Sequence, residues 1–359
     1  MKNRILCFTD SLGAGGAQRQ LVGLAVLLQR NGYQVKVCTY HNFDFYKSFL
    51  QENNIPNDLI PNANSSRRRI KAVSKYFNQE NPDWVIAYQE TPSLVACVAK
   101  LLGCKFRLIV SERNTTQCIG IKERIRFFLY HWADAIVPNS FAQEKFLTMH
   151  YPWMQKKLTT ISNFVDLEHF NFKIKDKRRV PEIAVVASIW DAKNTLGYID
   201  AIKLLADKGY KLHTSWYGKN DSNIDYYNLC TAKINNYSIQ DYIALNEKTK
   251  QIKQVYQEAD FFCLPSFYEG TPNVICEAMS CGRPIICSAV CDNPMYVEEG
   301  ENGFLFDPMS PETIADAIER AITISNDEYF LLCKNSRKKS ERLFSEMSFI
   351  QKYIKIIES

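Results

Sequence analysis

Short apolar runs alternate with helix-like stretches along almost the whole chain, and that alternation limits the possible fold more than any other feature. Residues 4–8 read as a strand, followed by a glycine-rich turn, a helix from about 17 to 31, a closing Gly32 and a second strand at 34–40. Residues 84–87, 107–111 and 135–138 read as further strands of the same sheet. A second series opens near Val180 with 183–188 and continues through 211–217, 242–245, 261–264 and 284–288. Strand and helix in alternation imply parallel sheets joined by crossover helices, an α/β doubly wound architecture. With 359 residues the chain is too long for one typical core, so two domains are expected. Between the series, the run Lys173-Ile174-Lys175-Asp176-Lys177-Arg178-Arg179 is rich in charge and lacks strong periodicity, and reads as a hinge. There is no internal repeat and no low-complexity tract.

The most informative stretch is 261–307, FFCLPSFYEGTPNVICEAMSCGRPIICSAVCDNPMYVEEGENGFLFD. A strand ends in a loop carrying Glu269, and Thr271-Pro272 then suits the start of a helix, Thr271 as N-cap and Pro272 as first helical residue. Glu277 follows inside that helix, eight residues after Glu269. Strand, loop and helix N-terminus in this order make a place for an anion, where amides and the helix dipole converge. Two carboxylates beside a phosphate require a ligand that also presents neutral hydroxyls, and a nucleotide sugar offers both.

This stretch resembles the E-x7-E signature of the retaining GT-B glycosyltransferases of family 4. The EG-x-PN and EAM strings, Gly282-Arg283-Pro284 and the NGFLF of residues 302–306 follow in that family's order. The resemblance implies two Rossmann-like domains facing a cleft. Residues 1–165 would form the acceptor-binding domain, 166–180 the linker and 181–340 the nucleotide-sugar-binding domain. A C-terminal helix in 341–359 would return to the first domain.

Composition excludes several other classes. A hydrophobic fraction of 46% with 23% charged residues is that of a soluble globular protein, and no apolar run is long enough to span a bilayer. The N-terminal apolar stretch is too short for a signal peptide and reads as the first strand. Twelve cysteines are scattered without a C-x-x-C pair, and several lie in apolar strands, so reduced thiols in a cytoplasmic protein are expected and zinc is not. A net charge of +5 does not by itself imply nucleic acid. The cations are unevenly placed, however. Arg67, Arg68, Arg69, Lys71 and Lys75, and Lys122-Glu123-Arg124-Ile125-Arg126 before Phe127-Phe128, are either solvated helix faces or contacts to an anionic membrane.

The turn Gly13-Ala14-Gly15-Gly16-Ala17-Gln18 nearly spells a dinucleotide fingerprint, but the third glycine is missing and no acidic residue ends the second strand at Thr39-Tyr40-His41. NAD is therefore not expected. The turn resembles the GGAE/GGAQ turn of family 4, which implies that Gly15 and Gly16 let backbone approach donor phosphates and acceptor; an ordinary tight turn is the alternative.

The resemblance also implies a donor site. In VVASIWDAK (residues 185–193), Lys193 takes the place of the diphosphate-binding lysine, while Ser188 stands where the companion arginine is usual. Lys219 or Arg113 are the candidates to compensate. Glu277 would hold the ribose hydroxyls and Glu269 the hydroxyls of the transferred sugar, with the backbone of Gly270, Thr271 and Asn273 at the distal phosphate or sugar. Tyr268 either borders the sugar or belongs to the core, and the loop at Asp292 and Met295 departs from the family pattern. Ser111-Glu112-Arg113-Asn114 resembles enzymes of bacterial surface polysaccharides, some of which transfer N-acetylgalactosamine. Residues 161–166 (ISNFVD) resemble the PNGVD string with Phe164 in place of glycine.

No D-x-D occurs, which argues against a metal-dependent GT-A enzyme. With both glutamates assigned to binding and no further carboxylate nucleophile evident, retention by front-face attack is expected. The resemblance implies metal-free transfer with a nucleotide sugar, a UDP-sugar by expectation, as co-substrate, no cofactor, and a saccharide or lipid-linked saccharide acceptor at the inner membrane face. A GT-B epimerase, or a degenerate protein that binds sugar nucleotides without transfer, is the alternative.

Overall fold

The computed structural model describes residues 3–116, 118–219 and 224–359. The chain divides into two compact units, 1–163 with 346–359, and 164–345. Unit 1 is built on a six-stranded parallel sheet of β1 (Arg4–Phe8), β2 (Gln34–Thr39), β3 (Asn57–Leu59), β4 (Trp84–Tyr88), β5 (Arg107–Glu112) and β6 (Ala135–Pro138). Unit 2 repeats the plan with β7 (Glu182–Val186), β8 (His213–Lys219), β9 (Ile243–Glu247), β10 (Phe261–Leu264), β11 (Ile285–Ser288) and β12 (Gly303–Phe306). The strand orders are β3-β2-β1-β4-β5-β6 and β12-β11-β10-β7-β8-β9, so each sheet reverses direction once, at β1/β4 and at β7/β10. Crossover connections leave a crevice beyond the carboxyl ends of the strands at such a reversal, where ligands of open α/β sheets bind.

Both faces of the sheets are covered, which explains runs that are apolar throughout rather than alternating. All five residues of β4 and all four of β10 and β11 are buried. In unit 1, Phe77 packs edge-on against both Phe8 and Phe106 at 5.3 Å. In unit 2, Trp216 meets Tyr198 at 5.7 Å, and Tyr256 meets Phe262 at 5.5 Å. Gly218, near the end of β8, is required by close approach: a Cβ there would lie 1.9 Å from the carbonyl oxygen of Ala187. β3 and β12, both edge strands and only three and four residues long, are absent from the sequence reading.

The last helix, Glu346–Glu358, belongs to unit 1. Tyr353 and Tyr88 share a buried hydroxyl–hydroxyl hydrogen bond of 2.7 Å, and Tyr33 donates to Glu358 at 2.7 Å. The helix Asn326–Phe344 remains in unit 2.

Residues 166–180, read from their charge as a linker, are fastened onto unit 2. Lys175 pairs with the buried Asp260 at 2.6 Å and donates to the carbonyl of Glu258, the last residue of the helix Ile252–Glu258. Lys177 donates to the carbonyl of Ile322 in the last turn of the helix Pro311–Thr323. Arg283 reaches the carbonyl of Lys173, and Arg337 those of Leu167 and Phe170. Lys175 and Lys177 thus satisfy carbonyls that helix ends leave open, which holds this segment against unit 2.

Candidate functional site

In unit 2 the two loops leaving the sheet reversal carry the chemistry. The loop after β7 ends in a single 3-10 turn, Asp191–Lys193, and the loop after β10 carries Ser266 and Glu269. A backbone bond from Phe267 N to Ala192 O, 3.0 Å, ties the loops together. This brings the Lys193 ammonium 2.5 Å from Glu269 Oε1, and Ser266 donates to the same oxygen at 2.6 Å. Both charged side chains remain partly exposed, at 22% and 12%.

The helix Asn273–Ser280 begins one residue later than expected. Its N-cap is Pro272 in extended conformation, with no side-chain cap, and the Thr271 hydroxyl instead shares a 3.2 Å bond with the Tyr296 hydroxyl. Tyr296 also donates to Asp292, which is buried. Tyr296 and Asp292 thus fix the entry to the helix in place of a cap, in the loop that departs from the family pattern. Glu277, on the buried face of the helix, accepts from the Tyr256 hydroxyl at 3.0 Å. Gly270 and Asn273 lie half-buried on the same approach, and Tyr268 is exposed rather than part of the core. Lys219 ends β8, where it pairs with Glu247 at 3.0 Å and lies over the ring of Tyr227.

Unit 1 carries its own candidates at the reversal between β1 and β4. Gly15 is the N-cap and Gly16 the first residue of the helix Gly16–Arg30. The turn is braced by Asp10, whose Oδ1 accepts from Gln18 at 2.9 Å and from Ser11 at 3.2 Å. Gln89, just past β4, accepts from Thr9 at 2.8 Å and holds a positive φ of 75°, a backbone state that non-glycine residues adopt at a cost.

Arg113 does not present itself as a surface cation. It is 8% exposed, lies 4.6 Å from the Tyr88 ring centroid, and donates to Ser111 and Asn163. Its neighbour Glu112 is buried too, bonded by the Tyr130 hydroxyl and lying 3.5 Å from Arg126. Burial pushes the Glu112 carboxyl above its ordinary range, against the opposing pull of Arg126 and Tyr130. Gln143 then holds Thr116 through two hydrogen bonds, so these buried groups shape the loop after β5.

Sequence reasoning missed Ser266, Tyr256, Tyr296, Asp10 and Gln89. Ser266, three residues before Glu269, and Tyr296 lay within the quoted 261–307 stretch without being assigned a role. Asp10, Gln89 and Tyr256 come from other segments, and their roles exist only after folding.

Both halves of the chain match known proteins. Residues 14–169 match the family described as Glycosyltransferase Family 4, and residues 180–323 that described as Glycosyl transferases group 1. The amylovoran biosynthesis glycosyltransferase AmsD of Erwinia amylovora is 22% identical over 89% of this chain and 90% of its own. An N-acetylgalactosamine-N,N'-diacetylbacillosaminyl-diphospho-undecaprenol 4-alpha-N-acetylgalactosaminyltransferase of Campylobacter jejuni is 23% identical over 78% of this chain and 79% of its own. Anabaena HepE, solved in complex with UDP and glucose, matches with a TM-score of 0.87 over 99% of both chains at 18% identity. With both halves matched in order and two sheets of the GT-B pattern, the chain belongs to the family 4, group 1 glycosyltransferases.

Proposed function

We propose that this chain moves a hexose or N-acetylhexosamine from a UDP-sugar to a saccharide or lipid-linked saccharide acceptor in the making of a surface polysaccharide, with retention at the anomeric carbon. The observation that carries this reading is the Lys193–Glu269 pair at the β7/β10 reversal, beside the helix that bears Glu277. The names of the Erwinia and Campylobacter relatives support the pathway class and the lipid-linked acceptor, and the UDP held by HepE supports the base.

In this reading Lys193 stabilises the departing diphosphate, Glu277 holds the ribose, and Glu269 orders the hydroxyls of the transferred sugar while the Gly270–Asn273 backbone meets the distal phosphate. The C1–O bond to the diphosphate breaks, the acceptor oxygen bonds to C1 on the same face, and the acceptor proton passes to a departing phosphate oxygen. No cofactor and no metal enter this scheme. Positioning and leaving-group stabilisation supply the rate. Unit 1 supplies acceptor recognition, and the chain works at the inner face of the membrane; no described helix is long and apolar enough to cross a membrane.

The test is a thermal-shift screen against UDP, GDP, ADP and NAD, followed by UDP release from UDP-hexoses and UDP-N-acetylhexosamines with and without chelator. A shift with UDP that Glu277→Ala abolishes, and chelator-resistant release with an α-configured product, are expected. A shift with NAD alone overturns the reading, and nucleotide binding without turnover on any acceptor leaves a binding protein.

A further inference from the structure

Gln89, between β4 and the helix Glu90–Leu101, has φ 75° and ψ 165°, a backbone state that glycine alone adopts freely. The state is held from both sides. The Gln89 amide donates to the Ser111 carbonyl at 3.2 Å, and its carbonyl accepts from Ser93 at 3.1 Å. Residues held in such strain cluster at ligand sites, and here the strain aims a side chain that glycine lacks.

That side chain is fixed through its oxygen, which accepts from Thr9 at 2.8 Å, while its amide nitrogen has no hydrogen bond among the described residues. The same Thr9 hydroxyl lies 3.4 Å from Asp10 Oδ1. Ser11 and Gln18 also donate to Oδ1, whereas nothing described engages Asp10 Oδ2. Neither the Gln89 nitrogen nor Asp10 Oδ2 is closed off from solvent. The Asp10 carbonyl accepts from the amide of His41 at 2.8 Å, and Tyr46 donates to the Leu12 carbonyl at 3.1 Å, so the loop after β2 is tied to the glycine turn. Phe43 lies on that loop, 64% exposed, and a Cβ added to Gly13 would come within 4.0 Å of its own Cβ.

The carboxyl ends of the adjacent strands β2, β1 and β4 thus present an exposed ring, an open acceptor and an open donor. A carboxylate that accepts beside an amide that donates suits neutral hydroxyls, each of which can do both. A phosphate would meet the Asp10 charge, and a cation would meet the Gln89 donors. The exposed ring of Phe43 adds an apolar surface for the C–H face of a pyranose, completing the mix of apolar wall and few placed polar groups that small-molecule sites use.

We propose that Asp10 Oδ2 and the Gln89 amide hold hydroxyls of the accepting sugar, an uncharged pyranose that lies against Phe43. This assignment rests on the proposed transfer to a saccharide and deepens it, giving this side of the glycine turn to the acceptor rather than to the donor phosphates.

The experiment is saturation-transfer NMR of the full chain with methyl glycosides of glucose, galactose, N-acetylglucosamine and N-acetylgalactosamine, with UDP and the matching UDP-sugars titrated into separate samples. At least one glycoside is expected to bind wild type. Asp10→Asn, which keeps Oδ1 as an acceptor, is expected to weaken it about tenfold, and Gln89→Gly about fivefold, the shares of a charged and a neutral hydrogen bond. A monodeoxy glycoside lacking the bound hydroxyl should lose that factor on wild type and nothing further on the variant. Gln89→Gly should also melt about 2–4 °C above Gln89→Ala, since alanine keeps the strain and glycine relieves it. No glycoside binding, or undiminished binding by both variants, overturns the site. Variants that weaken the UDP-sugars relative to UDP but leave the glycosides alone assign the hydroxyls to the donor and overturn the acceptor assignment. UDP that fails to bind wild type sinks the nucleotide-sugar reading alone, because glycoside binding is read without it.

Discussion

The Lys193 ammonium and the Glu269 carboxylate, 76 residues apart, meet at 2.5 Å across the β7/β10 reversal. The family resemblance gives them separate partners, diphosphate and sugar hydroxyl, yet without a ligand they neutralise one another. Removing either takes away the other's ion-pair partner in a half-buried site, although Ser266 still donates to Glu269. Lys193→Ala is expected to lower kcat about 10²- to 10³-fold, the range for losing one transition-state donor. Glu269→Gln should leave UDP affinity within about threefold while lowering turnover. The two are separated by UDP titration and by initial rates on the same preparations.

Tyr256→Phe keeps the ring against Phe262 and removes only the hydroxyl that Glu277 accepts. Loss of that bond is expected to cost about 1–2 kcal/mol in stability. If Glu277 holds the ribose, UDP should weaken several-fold while inorganic pyrophosphate is unaffected. Calorimetric titration with both ligands checks this.

Ser188 stands half-buried where a second cation is usual in the family. Ser188→Arg is expected to tighten UDP about tenfold through a charge-assisted bond to the diphosphate, with no gain for uridine. A gain for uridine as well would mean that the added side chain packs on the base rather than meeting phosphate.

Asp260 is fully buried and pairs with Lys175. Asp260→Asn keeps the shape but leaves the Lys175 ammonium with the Glu258 carbonyl and no counter-charge, and turns an amide donor toward one of the backbone N–H groups of Arg178 and Glu182; it should lower the stability of unit 2 by about 3 kcal/mol, or roughly 6–12 °C in Tm. Adding Lys175→Met to Asp260→Asn should recover the part of that loss that comes from the unpaired ammonium and not the part from the backbone N–H groups of Arg178 and Glu182. Thermal unfolding of the three proteins decides it.

Burial raises the thiols of Cys7, Cys97, Cys230 and Cys281 from an ordinary 9.0 to about 12. These thiols stay neutral in the fold and ionise in the unfolded chain. Their contribution is complete below pH 9 and is lost as pH rises toward 12. Each thiol contributes a slope of about 1.4 kcal/mol per pH unit in that window. Under reducing conditions Tm should fall progressively from pH 9 to 10.5, and Cys7→Ala should shallow the slope by one proton's share.

The strand series and the Glu269/Glu277 segment were legible because both are local patterns. Burial on both faces writes itself as an unbroken apolar run, as in residues 261–264, and a loop meeting a helix writes itself as glycine, threonine and proline within a few positions. Other features depend on segments far apart. The run at 173–179 reads as solvated linker until the carbonyl ends of two helices are placed beside it. Thr271 reads as a cap until Tyr296 takes its hydroxyl. That Ser111, Asn163 and Tyr88 surround Arg113, the candidate to compensate for the missing arginine, shows only once three segments are brought together.

The helix Glu346–Glu358 completes a unit whose other residues all lie before position 164. A ribosome making this chain finishes nearly all of unit 1, then all of unit 2, before the piece that covers Tyr88 leaves the exit tunnel. Until then the side of unit 1 that receives Tyr353 and Phe349 stays bare, and for tens of seconds of elongation a nascent chain carries an open, sticky surface that chaperones can grip. A chain cut anywhere within unit 2 would leave that surface bare, so removing the last helix should weaken unit 1 although it takes nothing from that unit's sheet.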